Sequence, residues 1–231
     1  MVGKMVNRFL KLKKLYDDRA FYNISYSQEA EDLILARYFE HIDKGFYVDV
    51  GAHHPKRFSN TYKFYLRGWR GINIDAMPGS MDPFKKIKPE DINLEVPIAE
   101  KKETLKYFIF NEPALNTLNE DEAQKKSKIQ GYYIKEIIEL QTERLDQILK
   151  NYLPDEQTTI DFLNIDVEGL DLQVLKSNDW KKYRPQIVLV EELRNSLETV
   201  IEKSLVYSYM KSVGYSLVSR SYNTSFYQKD I

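Results

Sequence analysis

The chain has 231 residues, of which 42% are hydrophobic and 30% charged, and a net charge of −1. That is enough for one domain with a full core and too little for two enzyme domains and a linker, and the near-zero charge gives no general attraction to nucleic acid. The absence of cysteine excludes disulfides, thiolate metal sites and a cysteine nucleophile, and no run is apolar enough to span a bilayer.

Residues 1–19 set Lys4, Arg8, Lys11, Lys13 and Lys14 among Val6, Phe9, Leu10, Leu12 and Leu15. We read them as a solvated helix docking its apolar stripe on the body. The alternative is a helix lying on an anionic membrane surface, a weak peripheral contact. This stretch lacks the apolar core of a signal peptide, so a cytoplasmic location is expected. Residues 1–25 are thus a basic arm and 26–231 one domain.

The spacing predicts a helix over 25–40 capped by Ser27, a strand over 46–50, a helix from Ser59-Asn60-Thr61 to Leu66, and a strand over 71–75. Pro78 suits a helix start. Further strands are expected at 92–99, 105–110 and 134–140, with a polar, partly mobile segment at 111–131. A helix at 145–152, a strand at 160–166, a helix at 170–177, a strand at 187–191 and one helix over 197–213 follow. Strands at 215–219 and 226–228 close the chain as a hairpin. Alternating strands and helices point to an α/β fold, a mostly parallel sheet with helices on both faces and a C-terminal antiparallel hairpin. In such sheets the ligand lies beyond the carboxyl ends of the strands.

At those ends stand the residues that carry chemistry. Gly51 lets the backbone approach a ligand, and Asp75, ending the next strand, can accept from a ribose diol. The later glycines of a pyrophosphate loop are missing: Ala52, His53, His54, Pro55 and Lys56 follow instead. The pattern therefore suits a nucleoside cofactor without phosphates, such as S-adenosylmethionine. Asp49 lies within an apolar strand and must have partners there, either ordering the turn or bonding the cofactor. Methyl transfer to oxygen needs a base, and Asp166, Glu168, His53 and His54 are candidates. Asp166 with Glu191 and Glu192 could bind Mg²⁺; the alternative is that one glutamate aligns the substrate and the other faces solvent.

The motifs Tyr26-Ser27-Gln28 with Glu31-Asp32, Tyr47-Val48-Asp49-Val50-Gly51-Ala52-His53-His54-Pro55, Ser59-Asn60-Thr61, Gly68-Trp69, Gly71-Ile72-Asn73-Ile74-Asp75, Leu115-Asn116-Thr117 and Asn164-Ile165-Asp166-Val167-Glu168-Gly169 together resemble the FkbM-type methyltransferases. Ala30 departs from the glycine expected there. The resemblance implies the class I (Rossmann-like) methyltransferase fold and S-adenosylmethionine as cofactor. It implies an O-methyltransferase acting on a hydroxyl of a sugar or surface-glycan precursor, of the capsule or lipopolysaccharide type. The cofactor set it implies is Gln28, Asp49, Gly51, Ala52, Ser59, Asn60, Asp75, Ala76 and Asp166, with Glu31 and Asp32 beside Gln28 on the methionine or acceptor side. A nucleotide-dependent oxidoreductase on a similar sheet and a non-catalytic module are the rival readings. The acceptor is expected to be a small molecule or glycan, not nucleic acid, and the oligomeric state stays open.

Overall fold

The computed structural model describes residues 22–157, 159–193 and 196–230. The helix expected over 1–19, and most of the arm, lie outside them. Nine strands are described: β1 (Phe46–Val50), β2 (Arg70–Asp75), β3 (Ile92–Glu95), β4 (Thr104–Phe110), β5 (Ile134–Gln141), β6 (Phe162–Ile165), β7 (Ile187–Glu191), β8 (Tyr215–Arg220) and β9 (Thr224–Lys229). The helices described are α1 (Glu31–Tyr38), α2 (Tyr62–Leu66), α3 (Met81–Ile87), α4 (Glu120–Lys126), α5 (Leu145–Tyr152), α6 (Asp171–Lys176), α7 (Leu197–Lys203) and α8 (Leu205–Ser212).

Seven strands form one sheet in the order β3-β2-β1-β6-β7-β9-β8. The first five run parallel, and β9 enters antiparallel between β7 and β8. From β1 the chain moves outward through β2 and β3, then returns to the other side of β1 with β6 and β7. The reversal of strand order opens a crevice beyond the carboxyl ends of β1 and β6. Strands buried on both faces read as nearly continuous apolar runs, as Phe46–Val50 and Ile187–Glu191 do. On one face Val48, Val50, Leu163, Ile165, Val188 and Val190 meet Leu145, Ile148 and Leu149 of α5, Val174 and Leu175 of α6, and Met210 of α8. On the other, Tyr47, Phe162, Ile187 and Leu189 meet Leu35 of α1, Phe64 of α2, Phe39 and Trp69.

That second face carries a polar row. Asn73, Asp49 and Asn164 stand in register on β2, β1 and β6. Asn164 donates to Asp49 Oδ1 at 2.9 Å and Thr61 to Asp49 Oδ2 at 3.0 Å. Lys88, wholly buried, donates to Thr61 Oγ1 at 2.6 Å. Asp49 therefore has the partners its burial requires, and it ties β1 to β6 and to the entry of α2.

β4 and β5 pair as a separate antiparallel hairpin. Residues 111–131 between them hold a short 3-10 turn, Pro113–Leu115, and α4. Phe108, Phe110 and Ala123 give this unit its own small core. The polar stretch expected to be partly mobile is thus folded on a cap: the Asn119 side chain accepts from Glu122 N at 3.1 Å.

Three element predictions need correction. α1 starts at Glu31, not near residue 25, because Ser27 Oγ bonds Asp32 and Ala30 adopts a left-handed φ of 66°. The strand expected over 92–99 ends at Glu95: Val96 N still reaches Asp75 O across the ladder, but Met77 N, the next donor on the β2 side, goes to Asp75 Oδ1 instead. The single helix expected over 197–213 is two, because Ser204 is extended (φ −74°, ψ 127°) and its side chain caps α8 through Tyr207 N.

Candidate active site

A cavity of about 990 Å³ lies beyond the carboxyl ends of β1, β2, β6 and β7. Gln28, Asp49, Gly51, Ala52, His53, His54, Asn60, Asp75, Ala76, Asp166, Glu168 and Glu191 all line it. The structure thus brings together nearly every residue singled out from the sequence.

One wall is the turn after β1, and its backbone N–H groups are all bonded within the protein. Gly51 and Ala52 donate their N–H groups to Ile74 O at 2.9 and 3.0 Å. His53 N donates to Asp75 Oδ2 at 2.9 Å, and His54 N to Ala52 O at 2.5 Å. Lys56 N and Arg57 N both donate to His54 Nδ1, at 3.1 and 2.9 Å. No backbone N–H from Gly51 to Arg57 is left to hold a pyrophosphate. Gly51 itself has φ 85°, and a Cβ there would stand 1.7 Å from Asp166 O. The glycine is needed so that the turn can pack on the end of β6; the close approach is to protein backbone rather than to ligand alone.

Asp75 accepts from this turn only through His53 N on Oδ2; Met77 N, two residues on in its own chain, donates to Oδ1 at 2.8 Å, and the carboxylate keeps further acceptor capacity. Burial raises its pKa, while the Met77 and His53 amides pull it back. The two histidines differ. His54 Nδ1 is committed to backbone, so its ring can act as a base there only by giving up both bonds. His53 lies parallel to Phe58, the centroids 6.5 Å apart, with Nε2 buried and without a partner. Burial lowers the pKa of both rings, with Arg57 opposing protonation further.

The opposite wall is acidic. Asp166, Glu168 and Glu191 each bring a carboxylate oxygen within 4.8 Å of the others. Asp166 Oδ1 is buried and receives no N–H or O–H bond. Burial, then the charges of Glu191 and Glu168, raises Asp166 well above the usual carboxylate range. Glu191 is pushed up to about 8 by burial and by the charges of Glu168 and Asp171. Two carboxyls this close titrate as a pair rather than singly. Glu168 has φ 55°, and its Oε2 receives Lys126 Nζ at 2.5 Å.

Some predicted placements are overturned. Glu192 points away from the cavity and accepts from Ser204 Oγ and, at 2.7 Å, from Tyr227 OH, so it cannot join Asp166 and Glu191 around an ion. Glu168 takes that place in the acidic cluster. Ser59 is buried beneath the site, where its Oγ accepts from Tyr62 N at 3.1 Å as a helix cap. Glu31 and Asp32 also lie off the cavity. Asp32 accepts from Ser25 Oγ at 2.6 Å and Tyr26 N at 2.8 Å, and Glu31 from Ser221 Oγ at 2.8 Å.

Other residues escaped the sequence reading. Asp171 receives Val167 N at 3.1 Å and Gly169 N at 3.2 Å and so shapes the acidic turn; burial pushes its pKa up to about 6. Lys126 reaches the cluster from α4, and the capping pattern of Asn119 before Glu120-Asp121-Glu122 was the signal for that helix.

The strand order, with the last strand inserted antiparallel, and the site at the switch point define the class I methyltransferase fold. Residues 49–217 match the methyltransferase FkbM domain, and the chain belongs to that family. A methyltransferase FkbM from Methylobacillus flagellatus KT is similar in structure, with a TM-score of 0.49 and 13% identity over 80% of this chain. The match spans 44% of that structure's length, so the chain covers less than half of it. A putative RNA methyltransferase from Pyrococcus horikoshii aligns at TM-score 0.45 and 10% identity, over 88% of this chain and 84% of its own. A TehB-like SAM-dependent methyltransferase from Corynebacterium glutamicum aligns at TM-score 0.41 and 10% identity over the whole of both chains. No curated relative matches in sequence. Kinship is shown by the family match, not by these distant superpositions.

Proposed function

We propose that this methyltransferase uses S-adenosylmethionine to methylate a hydroxyl of a sugar or surface-glycan precursor. The observation that carries the cofactor reading is the saturated turn: with every N–H from Gly51 to Arg57 already bonded, the site suits a nucleoside without a pyrophosphate. The same fact counts against a nucleotide-dependent oxidoreductase. Asp75 keeps further acceptor capacity for a ribose diol, and Ala52 and Ala76 leave room beside it. The unpartnered Asn60 Oδ1 and Gln28 stand further along the wall for the methionine end.

Asp166, paired with Glu191, is the base in this reading. The acceptor oxygen attacks the methyl carbon in line, the C–S bond breaks, the sulfonium becomes a neutral thioether, and the hydroxyl proton passes to the Asp166–Glu191 pair. A carboxyl raised toward neutrality is better matched to that proton than an ordinary one. Two aromatic side chains in the cavity lining, Phe58 and Tyr132, are 43% and 38% exposed and support a sugar acceptor. We further propose that residues 26–231 form one catalytic domain acting in the cytoplasm. No described helix is long and apolar enough to cross a membrane.

Calorimetry tests the reading: S-adenosylmethionine or its demethylated product is expected to bind with micromolar affinity, and a folded protein that binds neither contradicts it. Binding of NADH in fluorescence titration would favour the oxidoreductase instead.

A further inference from the structure

We propose that Lys126 is the resident cation of the acidic wall, a positioning residue that pairs with Glu168 and so withdraws it from the ligand set that Asp166, Glu168 and Glu191 could offer a divalent ion, so that methyl transfer needs no added metal. The inference rests on the methyltransferase reading of this cavity.

Three carboxylates gathered in a crevice demand countercharge, because desolvated like charges repel strongly. A divalent ion is one solution and a lysine is another. Here Lys126 Nζ contacts Glu168 Oε2 at 2.5 Å and Leu115 O at 3.5 Å, and the residue is 8% exposed. Its placement is built rather than incidental. Thr117 Oγ1 donates to Glu168 O at 2.8 Å and Asn119 Nδ2 to Gly169 O at 3.0 Å, so the strap that carries α4 is fastened to the same acidic turn. A Cβ on Gly169, whose φ is 105°, would stand 2.8 Å from Glu122 Cγ, which shows how closely α4 seats there. Among the described residues, the other cations lining the cavity are engaged elsewhere: Arg57 with Glu112 at 3.3 Å and Lys125 with Glu122 at 2.7 Å. Lys126 thus fixes Glu168 and leaves Asp166 and Glu191 to face the acceptor hydroxyl.

The test measures Mn²⁺ binding by electron paramagnetic resonance, with turnover alongside. Wild-type protein is expected to show no specific Mn²⁺ site and to lose no turnover on exhaustive EDTA treatment. Lys126→Met removes the cation and should gain a Mn²⁺ site that Glu168→Gln abolishes. Its metal-free turnover should fall by about 10²-fold through misplacement of the carboxylates, with partial recovery in Mg²⁺. Lys126→Arg should restore part of the metal-independent turnover. A micromolar Mn²⁺ site in the wild type that Glu168→Gln removes would overturn the proposal. So would a folded Lys126→Met protein that gains no site. Should Lys126→Met fail to fold, the wild-type Mn²⁺ measurement decides alone. Because the resonance readout needs no acceptor, its result stands apart from failure of S-adenosylmethionine to bind, which would strike the proposed function itself.

Discussion

Two turns face each other across the crevice, and they are built on opposite plans. The turn after β1 carries histidines, bonds all its backbone N–H groups within the protein and leaves one imidazole nitrogen, His53 Nε2, without a partner; the turn after β6 carries carboxylates and leaves Asp166 Oδ1 with no donor. Both strain the backbone to do so, with His53 at φ 51° and Glu168 at φ 55°. A saturated wall holds its shape and binds by fit. A wall with crowded, unsatisfied carboxyls stores the capacity to take up a proton. In the proposed function the first wall binds the cofactor and the second takes the proton.

The largest expected effect follows from that division. Asp166→Asn should lower kcat by about 10²–10⁴-fold, the usual range for a general base, while His53→Ala changes it by less than about tenfold. The reverse order in steady-state kinetics would move the base to the histidine turn. Next comes the contact between the two turns. Gly51→Ala places a methyl 1.7 Å from the Asp166 carbonyl and should destabilise the fold by about 3 kcal/mol or more in denaturant unfolding. An unchanged unfolding midpoint would mean that the walls are not in rigid contact.

The acidic wall should also show itself in pH-dependent stability. Burial and the charges of Glu168 and Asp171 push Glu191, in its pair with Asp166, up to about 8 from an ordinary value of 4.5. The folded state therefore binds this proton more tightly than the unfolded state. Its stabilising contribution is complete below about 4.5 and is lost as pH rises through about 8. Thermal melts should show Tm falling across that window, and Glu191→Gln should flatten the fall. Asp171, raised to about 6, leaves a smaller decline of the same sign. An equal decline in wild type and Glu191→Gln would remove Glu191 from the pair.

The smallest effect lies outside both walls. Ala30 adopts φ 66°, a conformation glycine takes without strain. Ala30→Gly should therefore stabilise the protein by up to about 1 kcal/mol with turnover unchanged. A loss of stability would show that Ala30 is not strained.

Much of this was legible in the sequence, for identifiable reasons. β1 and β7 are buried on both faces and read as apolar runs, so Phe46–Val50 and Ile187–Glu191 were bounded correctly. The amphipathic α5 matched residue for residue. The strand-end residues converged on one cavity because parallel topology sends all carboxyl ends to one edge. What the sequence hid was side-chain direction and local capping. Adjacent glutamates on an extended chain point to opposite faces, so Glu191 enters the cavity and Glu192 turns to Tyr227. Ser204 breaks one amphipathic run into α7 and α8 without a proline or glycine to announce it. Lys126 lies far along the chain from the turn it neutralises, and only the folded β4–β5 unit brings it there.

The division between the walls is tested most directly by calorimetric titration of S-adenosylhomocysteine, the demethylated product, into wild type, Asp75→Ala and Asp166→Asn. The account predicts micromolar binding to the wild type, about 10–10²-fold weaker binding to Asp75→Ala through loss of charge-assisted hydrogen bonds, and little change in Asp166→Asn. A folded wild type that binds no ligand, or an equal loss in the two variants, would contradict it.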